Sequence, residues 1–156
     1  MNVPRTLLLC AGLGAALLFP RPGRAEGPTC ALLAPADVGA LLGGAAVAKP
    51  NGGACQWTAP GSAKRLIAAR IKARGPAAEM AYAGARSNAG KEGAAVVTDL
   101  TGIGDKAFAV QASFGVALFT MKAGKILELQ YLTGGAGTLK DVEALRPVAR
   151  KAAAAL

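Results

Sequence analysis

The chain has 156 residues and a formal net charge of +9, and it contains three cysteines and no histidine. Without histidine it lacks the commonest general base and the commonest metal ligand, so histidine-based catalysis and zinc sites do not fit the composition. Aromatic residues make up only 4% of the chain, which argues against the stacking platforms that bind single-stranded nucleic acid.

The N-terminal segment has the order of a secretory signal peptide. Arg5 gives it a basic start, residues 7–19 form an apolar run, and the small residues Gly23 and Ala25 precede a candidate cleavage site. The apolar run is shorter than the roughly 20 residues that a transmembrane helix needs. We therefore predict a cleavable signal peptide over residues 1–25 and no stable transmembrane segment after cleavage, with an uncleaved membrane anchor as the alternative.

The remaining residues, 26–156, are long enough for a single domain. Cys10 falls within the predicted signal, and no small residue precedes it as a lipid-anchor site would require. Cys30 and Cys55 remain, and an even pair of cysteines in an exported domain predicts a disulfide. We expect a periplasmic or secreted domain, because exported compartments are oxidising.

The sequence of the first half of this domain predicts four elements in the order helix, strand, strand and helix. Pro35 in the first turn, Asp37 near the N-terminus and Gly43 at the end predict a short helix over 35–43. By composition and periodicity we expect further elements in this half: a loop over 49–53, strands over 54–59 and 64–74, and an alanine-rich helix over 77–88.

The second half is dominated by strands, which alternation and length predict over 94–100, 106–110, 114–122 and 125–132. Ala123-Gly124 is expected to be a hairpin turn. Thr138 followed by Asp141 resembles a capping box and starts the last helix, which Pro147 should kink or divide. This order predicts an α+β fold, an antiparallel β-sheet packed with N-terminal, middle and C-terminal helices and carrying one disulfide.

Several short motifs resemble a recurring pattern in small exported bacterial envelope domains, many of them lipoproteins. The pattern comprises Cys30-Ala31-Leu32-Leu33, Ala36-Asp37-Val38, Leu41-Leu42-Gly43, Cys55-Gln56-Trp57 and Gly102-Ile103-Gly104-Asp105-Lys106-Ala107-Phe108. The resemblance implies an antiparallel sheet with packed helices, similar to PsbP-like accessory proteins and to extracytoplasmic sensor domains of bacterial kinases. It also implies a protein that binds partners or ligands rather than an enzyme.

A basic segment without any acid is the first candidate for a contact surface. Four of its members share strand parity and are predicted to contact an anionic partner: Lys64, Arg70, Lys72 and Arg74. Such a face suits anionic lipid, lipopolysaccharide, a glycan or an acidic protein, and an ordinary solvated strand face is the alternative. Trp57 is expected to pack in the core beside the disulfide rather than to stack on a ligand.

Catalytic motifs are not evident. Ser62, Ser87 and Ser113 lack the Gly-x-Ser-x-Gly context, and the acidic residues are scattered. We predict a non-enzymatic binding or accessory domain of the envelope, with no cofactor, no metal and no nucleic acid, whose partner is an envelope protein or an anionic envelope component. The alternatives are an extracytoplasmic small-molecule sensor, which needs an apolar pocket between sheet and helix, and a hydrolase.

Overall fold

A computed structural model describes residues 29–62, 64–91 and 95–156. The signal peptide predicted over residues 1–25 lies outside these described residues. Within them, no helix has both the length and the apolar character needed to cross a membrane.

In the described part of the chain, seven strands form one antiparallel sheet in the order β1-β2-β3-β7-β6-β5-β4. The strands are β1 (Val47–Asn51), β2 (Ala54–Thr58), β3 (Leu66–Arg74), β4 (Val96–Leu100), β5 (Lys106–Ala112), β6 (Gly115–Lys122) and β7 (Lys125–Leu132). The described residues also form a 3-10 turn and three helices: Cys30–Leu32, α1 (Pro35–Leu42), α2 (Ala77–Ala89) and α3 (Leu139–Ala154). The predicted α+β class with N-terminal, middle and C-terminal helices is confirmed.

The helices divide between the two faces of the sheet. On one side, here the α3 face, α1 and α3 bury the larger core, in which Trp57, Leu118 and Leu145 are fully buried. On the other side, the α2 face, a single helix covers a smaller cluster around Phe108. The Phe108 ring stacks on Phe119 with centroids 4.8 Å apart. One helix is too narrow to cover seven strands, so part of the α2 face stays open.

The predicted disulfide is confirmed. Cys30 and Cys55 are bonded, with Cα atoms 4.9 Å apart, and both residues are buried. The bond joins the 3-10 turn before α1 to strand β2. Trp57, two residues further along β2, is also fully buried because alternate residues of a strand point to the same face. Cys30, Cys55 and Trp57 therefore belong to the structural core.

Aspartate side chains bond to the backbone at the starts of α1 and α3, and the capping box predicted at Thr138 is present. In α1, Asp37 Oδ2 accepts the Ala34 N–H at 2.9 Å. In α3, Asp141 Oδ2 accepts the Thr138 N–H at 2.9 Å and the Thr138 hydroxyl accepts the Asp141 N–H at 3.3 Å. The bonds in α3 are reciprocal, and in both helices they satisfy backbone donors that would otherwise lack partners.

Strand β1 is the element that the sequence prediction missed, because the expected loop over 49–53 contains its last three residues. Backbone pairing with β2, from Val47 opposite Thr58 to Asn51 opposite Ala54, makes the segment extended. Pro50 cannot donate to a ladder, but β1 is an edge strand, where proline is tolerated. Long-range pairing thus overrides a composition typical of loops.

The last helix was expected to kink or divide at Pro147, and division is wrong. Helix α3 runs from Leu139 to Ala154 without a break. Proline in a helix interior costs about 3 kcal/mol. Here Pro147 is exposed, while Leu145 and Val148 on the opposite side are buried against the sheet, and this packing offsets the lost hydrogen bond.

Candidate functional site

The structure separates the residues predicted to contact an anionic partner: Lys64, Arg70, Lys72 and Arg74. Strand β3 pairs with β7 in one register up to Ile71, and pairing resumes at Ala73 in a register shifted by one residue. Lys72, which lies between them, forms a bulge. A one-residue slip moves every following side chain to the other face. Arg70 therefore lies on the α2 face and Arg74 on the α3 face, and the contact predicted for all four residues does not form one surface.

Arg74 instead joins two lysines that the sequence analysis did not single out. It pairs with Lys125 across the β3–β7 ladder, and Lys125 pairs with Lys122 across the β6–β7 ladder. Side chains directly opposite each other share a face, with Cβ atoms about 4.5–5.5 Å apart. Arg74, Lys125 and Lys122 thus form a row of three cations across neighbouring strands, which we call the basic row.

No ion pair joins the basic row to an aspartate or glutamate side chain of the described residues. Asp105 lies beside the same hairpin, but its carboxylate accepts the Ala123 N–H at 3.1 Å and makes no ion pair within the described residues. The Lys125 ammonium donates to a main-chain oxygen of Leu156, the last residue of the printed sequence. Like charges placed directly opposite each other destabilise a sheet, so the two neighbouring pairs of the row repel each other, and the Leu156 oxygen offsets part of this repulsion at Lys125.

The charge balance of the described residues leaves cations in excess. Glu26 and Glu92 lie outside the described part, and the other seven acidic residues all have partners. Five of these seven form ion pairs, and the remaining two accept backbone N–H groups. Of the fifteen lysines and arginines in the described ranges, ten therefore form no ion pair with an aspartate or glutamate there.

A signal for two members of the row is present in the sequence. Lys122 and Lys125 flank the two-residue turn Ala123-Gly124, in which both residues have positive φ, 49° and 68°. Such a turn joins two strands directly and places its flanking residues side by side. The third member, Arg74, was not predictable in this position because only the bulge and the long-range β3–β7 pairing put it there.

Arg70 and Lys72 meet on the open part of the α2 face, around the buried carboxylate of Glu128. Lys72 Nζ lies 3.2 Å from Glu128 Oε2, and Gln130 Nε2 donates to Glu128 Oε1 at 2.9 Å. Arg70 is the ladder partner of Glu128 on β3, yet it forms no ion pair with any described carboxylate. The three charged groups together carry one net positive charge.

Next to this polar group a cleft of about 330 Å³ opens between the C-terminal half of α2 and the sheet. Its polar end contains Lys72, Glu128, Gln130 and Asn88. Its apolar lining consists of Ala85 and Ala89 from the helix and Val110, Ala112, Phe114, Ala117 and Phe119 from the sheet side. The α2 face therefore has the helix-to-sheet pocket that a small-molecule binding domain needs.

Lys64 lies apart from both the basic row and the cleft, in the loop before β3. With Arg65 it lines an open depression of about 610 Å³ beside the C-terminal end of α1. Ser62 of the same loop donates its hydroxyl to the Ala59 carbonyl at 2.7 Å. That hydroxyl is therefore used in the turn, and the two cations are the charged lining of the depression.

The buried tyrosines hold the fold together. Tyr131 donates its hydroxyl to the Leu41 carbonyl at 3.1 Å and so ties β7 to α1. Burial raises the pKa of the Tyr131 phenol, and the nearby Arg65 partly opposes this. Burial also raises the pKa of Tyr82, and the Asp99 carboxylate adds to the effect. Both phenols thus stay neutral well above physiological pH.

In residues 29–62, 64–91 and 95–156 no cluster of three or more cysteine or carboxylate side chains has the spacing of a metal site. Comparison with protein-family models, with curated proteins and with solved structures finds no match for this chain. The resemblance to PsbP-like envelope domains consequently stays a prediction from sequence, and the argument for function depends on the sites themselves.

Proposed function

We propose that this chain is an exported, non-enzymatic binding domain of the bacterial envelope that docks on phosphate-bearing lipid headgroups through the basic row. The row carries the proposal: Arg74, Lys125 and Lys122 stand side by side on three neighbouring strands. An anionic surface converts their mutual repulsion into attraction, and the excess of unpaired cations elsewhere adds a long-range field that favours the same partner.

Export is supported by two independent features. The first is the signal-like order of residues 1–25, which is a prediction from sequence. The second is the Cys30–Cys55 disulfide, because such bonds form and persist in oxidising compartments and are rare in the cytosol. A domain delivered to the envelope meets anionic lipid headgroups there.

Vesicle binding tests the proposal. The protein is titrated with phosphatidylcholine vesicles with and without phosphatidylglycerol, at low and high salt. We expect binding only to the anionic vesicles and a marked loss at high salt, since the Debye length shortens from about 10 Å at 0.1 M to 3 Å at 1 M. Each lysine or arginine near an anionic surface contributes about 1 kcal/mol, so R74Q/K122Q/K125Q should bind roughly 100-fold more weakly.

A charge-matched control separates the basic row from net charge. K49Q/K91Q/K140Q removes three cations that have no carboxylate partner among the described residues and do not belong to the row. We expect this control to bind at most a few-fold more weakly than wild type. The row variant should also be at least as stable as wild type in urea, because it removes like-charge repulsion.

Three results would contradict the proposal. Equal losses in the two triple variants would show that net charge alone directs binding. Binding that ignores salt, or that is equal on uncharged vesicles, would exclude an electrostatic contact. Failure to bind any vesicle, combined with salt-sensitive binding to an acidic envelope protein, would replace the lipid by a protein partner.

A further inference from the structure

The cleft under α2 is not used by the basic row and lies on the opposite face of the sheet. Its volume of about 330 Å³ falls within the ~300–1,000 Å³ of small-molecule sites. Phe114, in the turn between β5 and β6, lines the cleft with 47% of its surface exposed. An aromatic ring that could be covered by a ligand is thus left in contact with water in the free protein.

The two ends of this site differ in chemistry. The end under α2 is apolar, with side chains from Val110, Ala117 and Phe119. At the other end the negative charge of Glu128 is already met by Lys72 and by Gln130. A second, smaller depression shares Glu128 and Gln130 with the cleft and continues past them to Arg70.

The net charge at the polar end of the site determines which charge the head group of a ligand should carry. Glu128 and Lys72 compensate each other, and Arg70 contributes a guanidinium with no carboxylate partner in the described residues. Arginine presents donors in a fork that matches a carboxylate or phosphate group. A cationic head would meet one net positive charge, and an uncharged head would leave Arg70 without a counter-ion.

We propose that the cleft binds a single-chain anionic amphiphile, a fatty carboxylate, with its chain under α2 and its head at Arg70 and Lys72. The chain would cover Phe114 and the apolar wall, and the head would cross Gln130 to reach the guanidinium. This makes the domain a carrier or sensor of such molecules in addition to its proposed surface contact.

Fluorescence displacement tests this proposal on the exported protein. The probe is dansyl-aminoundecanoic acid, and the competitors are decanoate, decanol and decyltrimethylammonium below the concentrations at which they form micelles. We expect decanoate to displace the probe at concentrations at least tenfold lower than either competitor, because only its head is complementary to Arg70. In E128Q decanoate should bind as tightly as in wild type or tighter, since this change removes a negative charge beside the head.

Matched variants locate the ligand within the site. Arg70→Gln should weaken decanoate about tenfold, the loss expected for a hydrogen bond to a charged group, whereas Lys140→Gln at the start of α3 should not weaken it. Phe114→Ser should weaken decanoate several-fold. Met80→Ser, which changes an α2 side chain that is 74% exposed and does not line the cleft, should have no effect.

The proposal is overturned if the wild-type protein does not bind the probe, or if decyltrimethylammonium competes as well as decanoate. It is also overturned if Arg70→Gln and Lys140→Gln bind decanoate equally. Weaker decanoate binding in E128Q would also overturn it, because removing a negative charge beside the head should not weaken an anion. Because the cleft and the basic row share no residue, either proposal can fail while the other stands.

Discussion

Removing the Cys30–Cys55 disulfide should lower the free energy of unfolding by about 3.5 kcal/mol. The bond links residues separated by 25 positions, and the chain-entropy model gives about 3.5 kcal/mol for closing a loop of that size. Both cysteines are buried among apolar neighbours, so alanine at both positions keeps the surroundings apolar. At about 2–8 °C per kcal/mol, the melting temperature of C30A/C55A should fall by roughly 7–28 °C.

Urea denaturation of C30A/C55A, of the oxidised wild type and of the wild type kept reduced measures this loss. The reduced wild type and the double variant should agree within about 1 kcal/mol, because both lack the same cross-link. Alkylation followed by intact-mass measurement should detect no free thiol in the oxidised protein after removal of residues 1–25, which contain Cys10. The loop-entropy argument is refuted if either unlinked form is within about 1 kcal/mol of the oxidised protein.

Two further predictions concern the connections around α3. Gly137→Ala should destabilise the protein by at least about 3 kcal/mol, because a Cβ at this position would collide with the backbone oxygen of Gly115. The control Gly135→Ala, which has open space around it, should change stability by less than about 1 kcal/mol. Equal urea midpoints for the two variants would contradict this prediction. The Lys151 ammonium holds the pKa of the Asp37 carboxyl below its ordinary value of 3.8. The stability that this ion pair contributes is therefore present above pH 3.8 and is lost as the pH falls through the lowered pKa of Asp37. Asp37→Asn should therefore cost about 1 kcal/mol at pH 7 and progressively less as the pH falls below 3.8. A difference in urea midpoint that does not shrink over that range would show that the ion pair is not responsible.

The elements that the sequence predicted well are those whose determinants are local. The helix start at Thr138 depends on a side chain three residues away, and the hairpin at Ala123-Gly124 depends on two adjacent residues that adopt positive φ. Strand β7 is bounded by the predicted residues, Lys125 and Leu132, because its alternation of apolar and polar side chains is a property of the segment itself.

The errors occurred where distant segments decide the conformation. Strand β1 forms because β2 offers it backbone partners, although Pro50 and Asn51 are typical of loops. Helix α3 continues through Pro147 because its buried side packs on the sheet. In both segments tertiary packing outweighs a local preference of a few kcal/mol.

For the candidate sites, the sequence by itself determined that the chain is basic and that Cys30 and Cys55 can pair. It also placed one lysine on each side of a hairpin turn. Only the tertiary structure decided which cations share a surface. The bulge at Lys72 sends Arg74 to the α3 face, beside Lys125, and leaves Arg70 on the α2 face, at the smaller depression next to the cleft. The physical reason is that alternate residues of a strand share a face only while its register is unbroken. The register of β3 is set by pairing with a strand about fifty residues away.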